Sequence, residues 1–196
     1  MIALFFEVEP HPGHEQAYLD LAAKLRPELD RNGGVTFLNR YRSLARPARM
    51  LSHQYWQDRT HLDAWRNHAG HRGVQRAGRD RHFADYRLRV GAVVAELRPG
   101  SPMQYLDGFE AARTGRRFVV AVEAKGSAVA LHGGESFESV YVAGEMVSLS
   151  SFESLGEAIG CIEAVVAGRG VVAARIAAVE RDYGPRSRAE APADAI

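Results

Sequence analysis

Apolar and polar positions change period in an ordered way along the chain. Ile2 to Glu9 alternates as a strand does, and Pro10-His11-Pro12-Gly13 ends it. From His14 to Arg31, Tyr18, Leu21, Ala22, Leu25 and Leu29 recur at intervals of three and four, the stripe of an amphipathic helix. Pro27 should kink its last turn, and Asn32-Gly33-Gly34 should stop it. Val35 to Arg42 and Met50 to Trp56 read as a strand pair. Asp58 is the expected N-cap of a helix through Leu62, Trp65 and Ala69. Gly70, Gly73 and Gly78 weaken the helical pattern that follows, and Tyr86 to Leu97 reads as a fourth strand. The order β-α-β-β-α-β is the split βαβ unit of the ferredoxin-like α+β fold.

Arg98-Pro99-Gly100-Ser101-Pro102 marks a boundary, and Ser101 is the expected cap of a short bridging helix through Tyr105, Leu106 and Phe109. Beyond it the pattern repeats in shortened form. Glu9 corresponds to Glu123, Phe37 and Tyr41 to Phe137 and Tyr141, Ser52 and Trp56 to Ser148 and Phe152, and Arg89 to Arg175. Glu9 to Phe37 spans 28 residues, whereas Glu123 to Phe137 spans 14, so the second copy has no room for the first helix. The expected organisation is a ferredoxin-like domain over 1–98, a linker over 99–117, a truncated repeat over 118–185 and a surface or disordered tail over 186–196.

Composition narrows the chemistry. The 46% hydrophobic and 25% charged content is that of a globular protein, with no apolar run of membrane-spanning length and no basic leader before Glu7. Cys161 is the only cysteine, which rules out an internal disulfide and a cysteine-based zinc cluster, and a cytoplasmic address is the expectation. Residues 1–99 carry 16 Lys/Arg against 11 Asp/Glu, and residues 100–196 carry 9 against 13. Seven of eight histidines and both tryptophans also lie in the first half, so a single site is expected there.

Alternation along the third strand puts Ser52, Gln54 and Trp56 on the helix side, with His53 and Tyr55 turned toward a partner sheet. His68 and His71, three apart, could share one helix face, and either could serve as the base that removes a substrate proton. Neither HExxH nor a third ligand accompanies them, so no metal is expected. Trp56 and Trp65 could wall an aromatic-substrate pocket or simply fill the core. Among the arginines from Arg66 to Arg89, Asp63, Asp80 and Asp85 interleave, which argues against nucleic-acid binding, and Arg72 or Arg76 could steady an anionic substrate.

The runs Ser52-His53-Gln54-Tyr55-Trp56-Gln57-Asp58, Leu62-Asp63-Ala64-Trp65-Arg66-Asn67-His68, His71 to Arg79 and Phe83 to Val90 resemble the antibiotic biosynthesis monooxygenase family, of the dimeric α+β barrel superfamily. The resemblance covers most of residues 1–97. It implies two sheets packed face to face, with each cavity between a sheet and its own helices. It further implies oxidation of an aromatic or polyketide-type compound by molecular oxygen with no metal or flavin cofactor. The substrate, deprotonated to an electron-rich anion, would supply the electrons. The family's strand tryptophan falls on Trp56, and the asparagine four residues before it in some members falls on Ser52, which offers a hydroxyl but no amide. Haem-degrading relatives would place their iron-ligating histidine at Gln75, and glutamine is a poor iron ligand. The expected site is therefore catalytic His68 and Ser52, with Trp56, Trp65 and Arg72 holding substrate. The alternative is a non-catalytic binding or assembly module of the same fold. The paired sheets could close within one chain or between the first halves of a homodimer; the homodimer is the expectation.

Overall fold

The computed structural model describes residues 1–192. Its first half runs β1 (Ile2–Pro10), α1 (Glu15–Asn32), β2 (Val35–Ser43), β3 (Met50–Trp56), α2 (Arg59–Asn67), α3 (Ala69–Ala77) and β4 (Phe83–Leu97). Helix α1 continues through Pro27 and stops where Gly33, at φ +71°, turns its N–H back to the Leu29 carbonyl. The Asp58 side chain caps α2 by accepting the His61 backbone N–H at 3.0 Å. The sequence leads one to expect a single helix fading after Ala69. Instead His68 adopts an extended conformation and divides α2 from α3, which ends in a wide helical turn over 78–82.

After the boundary come β5 (Gln104–Tyr105), α4 (Phe109–Ala112), β6 (Phe118–Lys125), β7 (Glu135–Ser139), β8 (Glu145–Phe152), α5 (Leu155–Val165) and β9 (Val171–Tyr183). The bridging helix expected from Ser101 is not there. Gln104 and Tyr105 pair with the end of β4, and the helical turn starts only after Gly108, at φ +88°. The fold is therefore a pair of tandem ferredoxin-like units, the second lacking its first helix.

The two units share one sheet. Its strands follow the order β1-β3-β2-β7-β8-β6-β9-β4, and β4 also pairs with β1, so eight strands form a closed barrel within one chain. The seams between the units are β4 against β9 and β2 against β7. A homodimer is thus not needed to complete the barrel, because the seam strands already have intrachain partners. His53 and Tyr55 do point into the barrel, where they pack with Phe5 and Phe37.

Register corrects two of the four repeat correspondences. Ser52 and Ser148 stand at equivalent places, as do Arg89 and Arg175. However, Glu123 sits opposite Val147 as Glu7 sits opposite Leu51, so Glu7, not Glu9, is its counterpart. Likewise Tyr41 opposite Leu51 matches Phe137 opposite Val147, and Tyr141 lies beyond β7. Both slips are by an even number of residues. On a strand such a slip keeps every side chain on its face, so residue type alone cannot detect it.

In the second unit, residues 126–134 cross the sheet where a first helix would lie. Val129 and Leu131 pack against the cluster of Phe118, Val120, Leu155, Ala158 and Ile162. Ser150 donates to the His132 carbonyl at 2.7 Å. Beyond β9 the chain folds back: the Glu190 carboxylate accepts from Arg117 at 2.6 Å and from the Asp182 backbone N–H at 2.8 Å. Residues 193–196 of the expected tail lie outside the described residues.

Gly91 makes the longer seam possible. It lies at a register shift between β4 and β9, and a Cβ there would come within 2.2 Å of the Ala178 carbonyl oxygen. Gly91→Ala is expected to cost at least ~2 kcal/mol, because the obstacle is backbone. Urea unfolding followed by far-UV circular dichroism checks this.

Candidate active site

Between the helix-facing side of the first unit's sheet and α1, α2 and α3 lies a cavity of about 170 Å³. Apolar residues of the α1 stripe, Leu21, Ala22, Leu25 and Leu29, face Leu4, Phe6 and Leu38 of the sheet across it. The strand alternation that turns His53 into the barrel brings Ser52 and Gln54 to this cavity. Trp56 shares their face but is fully buried below it and does not line it. Its indole N–H donates to Gln54 Oε1 at 2.9 Å, and the Gln54 amide donates to Ser52 Oγ at 3.0 Å. Trp56 thus acts as a tether that fixes two polar cavity groups, not as the wall expected of it.

Beside Ser52 stands a cationic group that the sequence reading did not single out. Arg40, on the helix side of β2, holds its guanidinium carbon 6.0 Å from the Tyr18 ring centroid and donates to the Tyr141 hydroxyl at 3.2 Å. Its partners here are phenols, and its Nε is buried without a hydrogen bond. Burial raises the pKa of Tyr18, with Arg40 and Ser52 opposing the rise, so Tyr18 stays a neutral phenol. The signal available in sequence was an arginine two residues after Leu38, on the same face of the strand.

Trp65, expected as a pocket wall, lines the cavity and is nearly buried. The His71 ring stacks on it, with centroids 4.6 Å apart and planes 17° from parallel. His71 Nδ1 lies 3.0 Å from the Trp65 carbonyl oxygen. A carbonyl only accepts, so Nδ1 carries the proton and Nε2 keeps its lone pair. Burial pushes the His71 pKa down to about 4; His68 and Arg79 add to the effect, and the Trp65 carbonyl opposes it. The imidazole is therefore neutral at pH 7.

His68 is not among the lining residues. It occupies the break between α2 and α3, stacks on Trp65 at 5.4 Å, and turns Nδ1 to Glu28 at 3.3 Å. Because the helix breaks at His68, the shared face assumed for His68 and His71 does not exist. Arg72 is exposed and also absent from the lining. Gln75 does line the cavity.

Six arginines contribute to the lining (Arg26, Arg40, Arg66, Arg79, Arg181 and Arg188), and no described aspartate or glutamate does. Three lining residues, Arg181, Tyr183 and Arg188, come from β9 and the segment after it. The second unit therefore supplies part of the first unit's cavity, a contribution that the reading of it as packing alone missed. Among the described residues no group of three histidine, cysteine, aspartate or glutamate side chains could hold a metal, and no helix is long and apolar enough to cross a membrane.

Residues 1–77 match the family model for antibiotic biosynthesis monooxygenases. A jasmonate monooxygenase of Pyricularia oryzae is 44% identical over 98 residues, which is 50% of this chain and 46% of that protein, so the chain spans about half of that relative's length. Among solved structures, a candidate antibiotic biosynthesis monooxygenase from Nitrosomonas europaea aligns at 13% identity and TM-score 0.42, covering 47% of this chain and 97% of that one. A candidate monooxygenase from Lactobacillus acidophilus NCFM aligns at 7% identity and TM-score 0.45, covering 92% and 94%. Over residues 1–77 the chain is thus similar to the antibiotic biosynthesis monooxygenase family, whose model those residues match.

Proposed function

We propose that this protein is a monooxygenase-type oxidoreductase that binds an apolar small molecule in the first unit's cavity and prepares it for reaction with molecular oxygen. The observation that carries this reading is a largely apolar cavity, lined mostly by the first unit, that holds a neutral imidazole acceptor and arginines together. Trp65 offers a flat apolar surface for a ring, and Ser52, fixed through Gln54 and Trp56, offers a hydroxyl to a substrate oxygen. His71 Nε2 accepts the substrate proton. Its low proton affinity makes it a weak base on its own, but a substrate anion formed beside it raises that affinity. The Arg40 guanidinium stabilises the same anion.

For an anthrone-type substrate the balance is a methylene plus O2 giving a carbonyl plus water. The substrate carbanion supplies the electrons, one oxygen atom enters the product and the other leaves as water. The matched relative's name makes jasmonate, an apolar carboxylate, a second test substrate, offered with an external two-electron reductant. Oxygen uptake with one of these should appear in the wild type. His71→Gln should lower kcat about 100-fold, the lower end of the range for loss of a general base. Uptake at the wild-type rate in His71→Gln would remove His71 from the mechanism, and no uptake with either substrate would count against the oxygenase reading.

A further inference from the structure

Three polar side chains of β2 and β3 line the cavity on its sheet side: Arg40, Ser52 and Gln54. Arg40 and Ser52 are partners across the strand pair, and Gln54 follows Ser52 on the same face. Trp56, below them and outside the cavity, sets their polarity. An indole N–H only donates, so the Gln54 oxygen is the atom turned to it, at 2.9 Å. The Gln54 amide nitrogen therefore faces Ser52, whose oxygen accepts from it at 3.0 Å. One Ser52 lone pair is used in this way, and its O–H hydrogen is left in need of an acceptor. The buried Arg40 Nε–H beside it also lacks one. The Tyr18 phenol, which borders Arg40 and Ser52, does not alter this balance, because for a donor that it accepts it adds its own O–H. A carbonyl oxygen has two lone pairs and no hydrogen, and so matches two donors. A hydroxyl brings a further hydrogen to a corner short of acceptors.

We infer that this corner selects a carbonyl-type oxygen over a hydroxyl, and that Trp56 is the positioning residue that sets the selection through Gln54 without touching the ligand. The selection rests on the proposed small-molecule site and adds the oxygen group that the site accepts. The helix side has the opposite polarity: His71 on α3 keeps Nε2 as an acceptor because the Trp65 carbonyl holds its Nδ1 proton. A ketone with an acidic neighbouring C–H fits both sides. The oxygen that meets the donors of the sheet is the one that gains negative charge when the proton leaves toward α3.

The test uses the full chain and two probes of similar size, 1-tetralone and 1-tetralol, titrated by isothermal calorimetry, and reads the ratio of their dissociation constants. The wild type should bind the ketone about tenfold more tightly than either enantiomer of the alcohol, toward the low end of the cost of a buried donor without a partner. In Trp56→Phe, Gln54 is free to turn its oxygen to Ser52, which then donates to it and offers its lone pairs to the ligand. The ratio should fall to about one. Gln54→Glu, at a partly exposed position, places an acceptor-only carboxylate beside Ser52 and should likewise erase the preference or reverse it. A tryptophan that only packs would weaken both probes together and leave the ratio as it was. An unchanged ratio in Trp56→Phe, or in Gln54→Glu if Trp56→Phe does not fold, overturns the role of Trp56. Equal binding of the two probes by the wild type, or tighter binding of the alcohol, overturns the selection and leaves the cavity reading intact. Binding of neither probe overturns both readings.

Discussion

Glu7→Gln is expected to lower the unfolding free energy by about 3–5 kcal/mol, the cost of leaving a buried charge without its partner. Glu7 and Arg89 face each other inside the barrel at 2.6 Å, with side chains 7% and 5% exposed. Arg89's other partner is the Ser151 hydroxyl of the second unit at 2.8 Å, which cannot neutralise it. The reverse substitution should be milder. Arg89→Met leaves Glu7 still paired with Arg49 at 2.8 Å, so its cost should be roughly half as large or less. The double variant Glu7→Gln/Arg89→Met should be more stable than Glu7→Gln alone. Urea unfolding of the three variants checks the order, and equal losses in the two single variants would show that Arg49 does not compensate.

Removing His53 should act in the opposite direction. Its ring is fully buried among Phe5, Phe37 and Tyr55, and neither nitrogen has a hydrogen-bond partner. Burial, with a contribution from the Arg175 charge, lowers its pKa from 6.5 to about 3. The folded protein therefore keeps the imidazole neutral while the unfolded chain takes up a proton below pH 6.5. The resulting loss of stability begins as pH falls through 6.5 and levels off only near pH 3. Its full size would be about 5 kcal/mol. His53→Leu places at this position the residue that its counterpart, Leu149, already is. The variant should match or exceed wild-type stability at pH 7 and gain on it steadily down to pH 4 in thermal melts. A stability difference that does not change between pH 7 and pH 4 would sink the argument.

Much of this was legible from local pattern. Strand alternation put Ser52, Gln54 and Trp56 on one side of β3 and His53 and Tyr55 on the other, because a period of two leaves no choice. The stripe on α1 and the stop at Gly33 followed from equally local rules. What was missed depends on contacts distant in sequence. Nothing local shows that His68 breaks the helix, so the choice between His68 and His71 could not be made from spacing. Trp56 could be assigned to a face but not to a depth. Arg181 and Arg188 reach the cavity only because β9 pairs with β4, a contact between residues about ninety positions apart.

Closing the barrel within one chain also has a consequence for symmetry. In a barrel made by two identical chains, each interior substitution appears twice, and both copies must tolerate it. Here the two Arg–Glu pairs, Arg89 with Glu7 and Arg175 with Glu123, have kept their equivalence, while their surroundings differ. Arg175 lies over the ring of Tyr55, and Arg89 meets Ser151 at the corresponding place. Closure within one chain lets two equivalent positions carry different residues. One unit fills its helix-side space with a loop and lends residues to its neighbour, while the other keeps a cavity there.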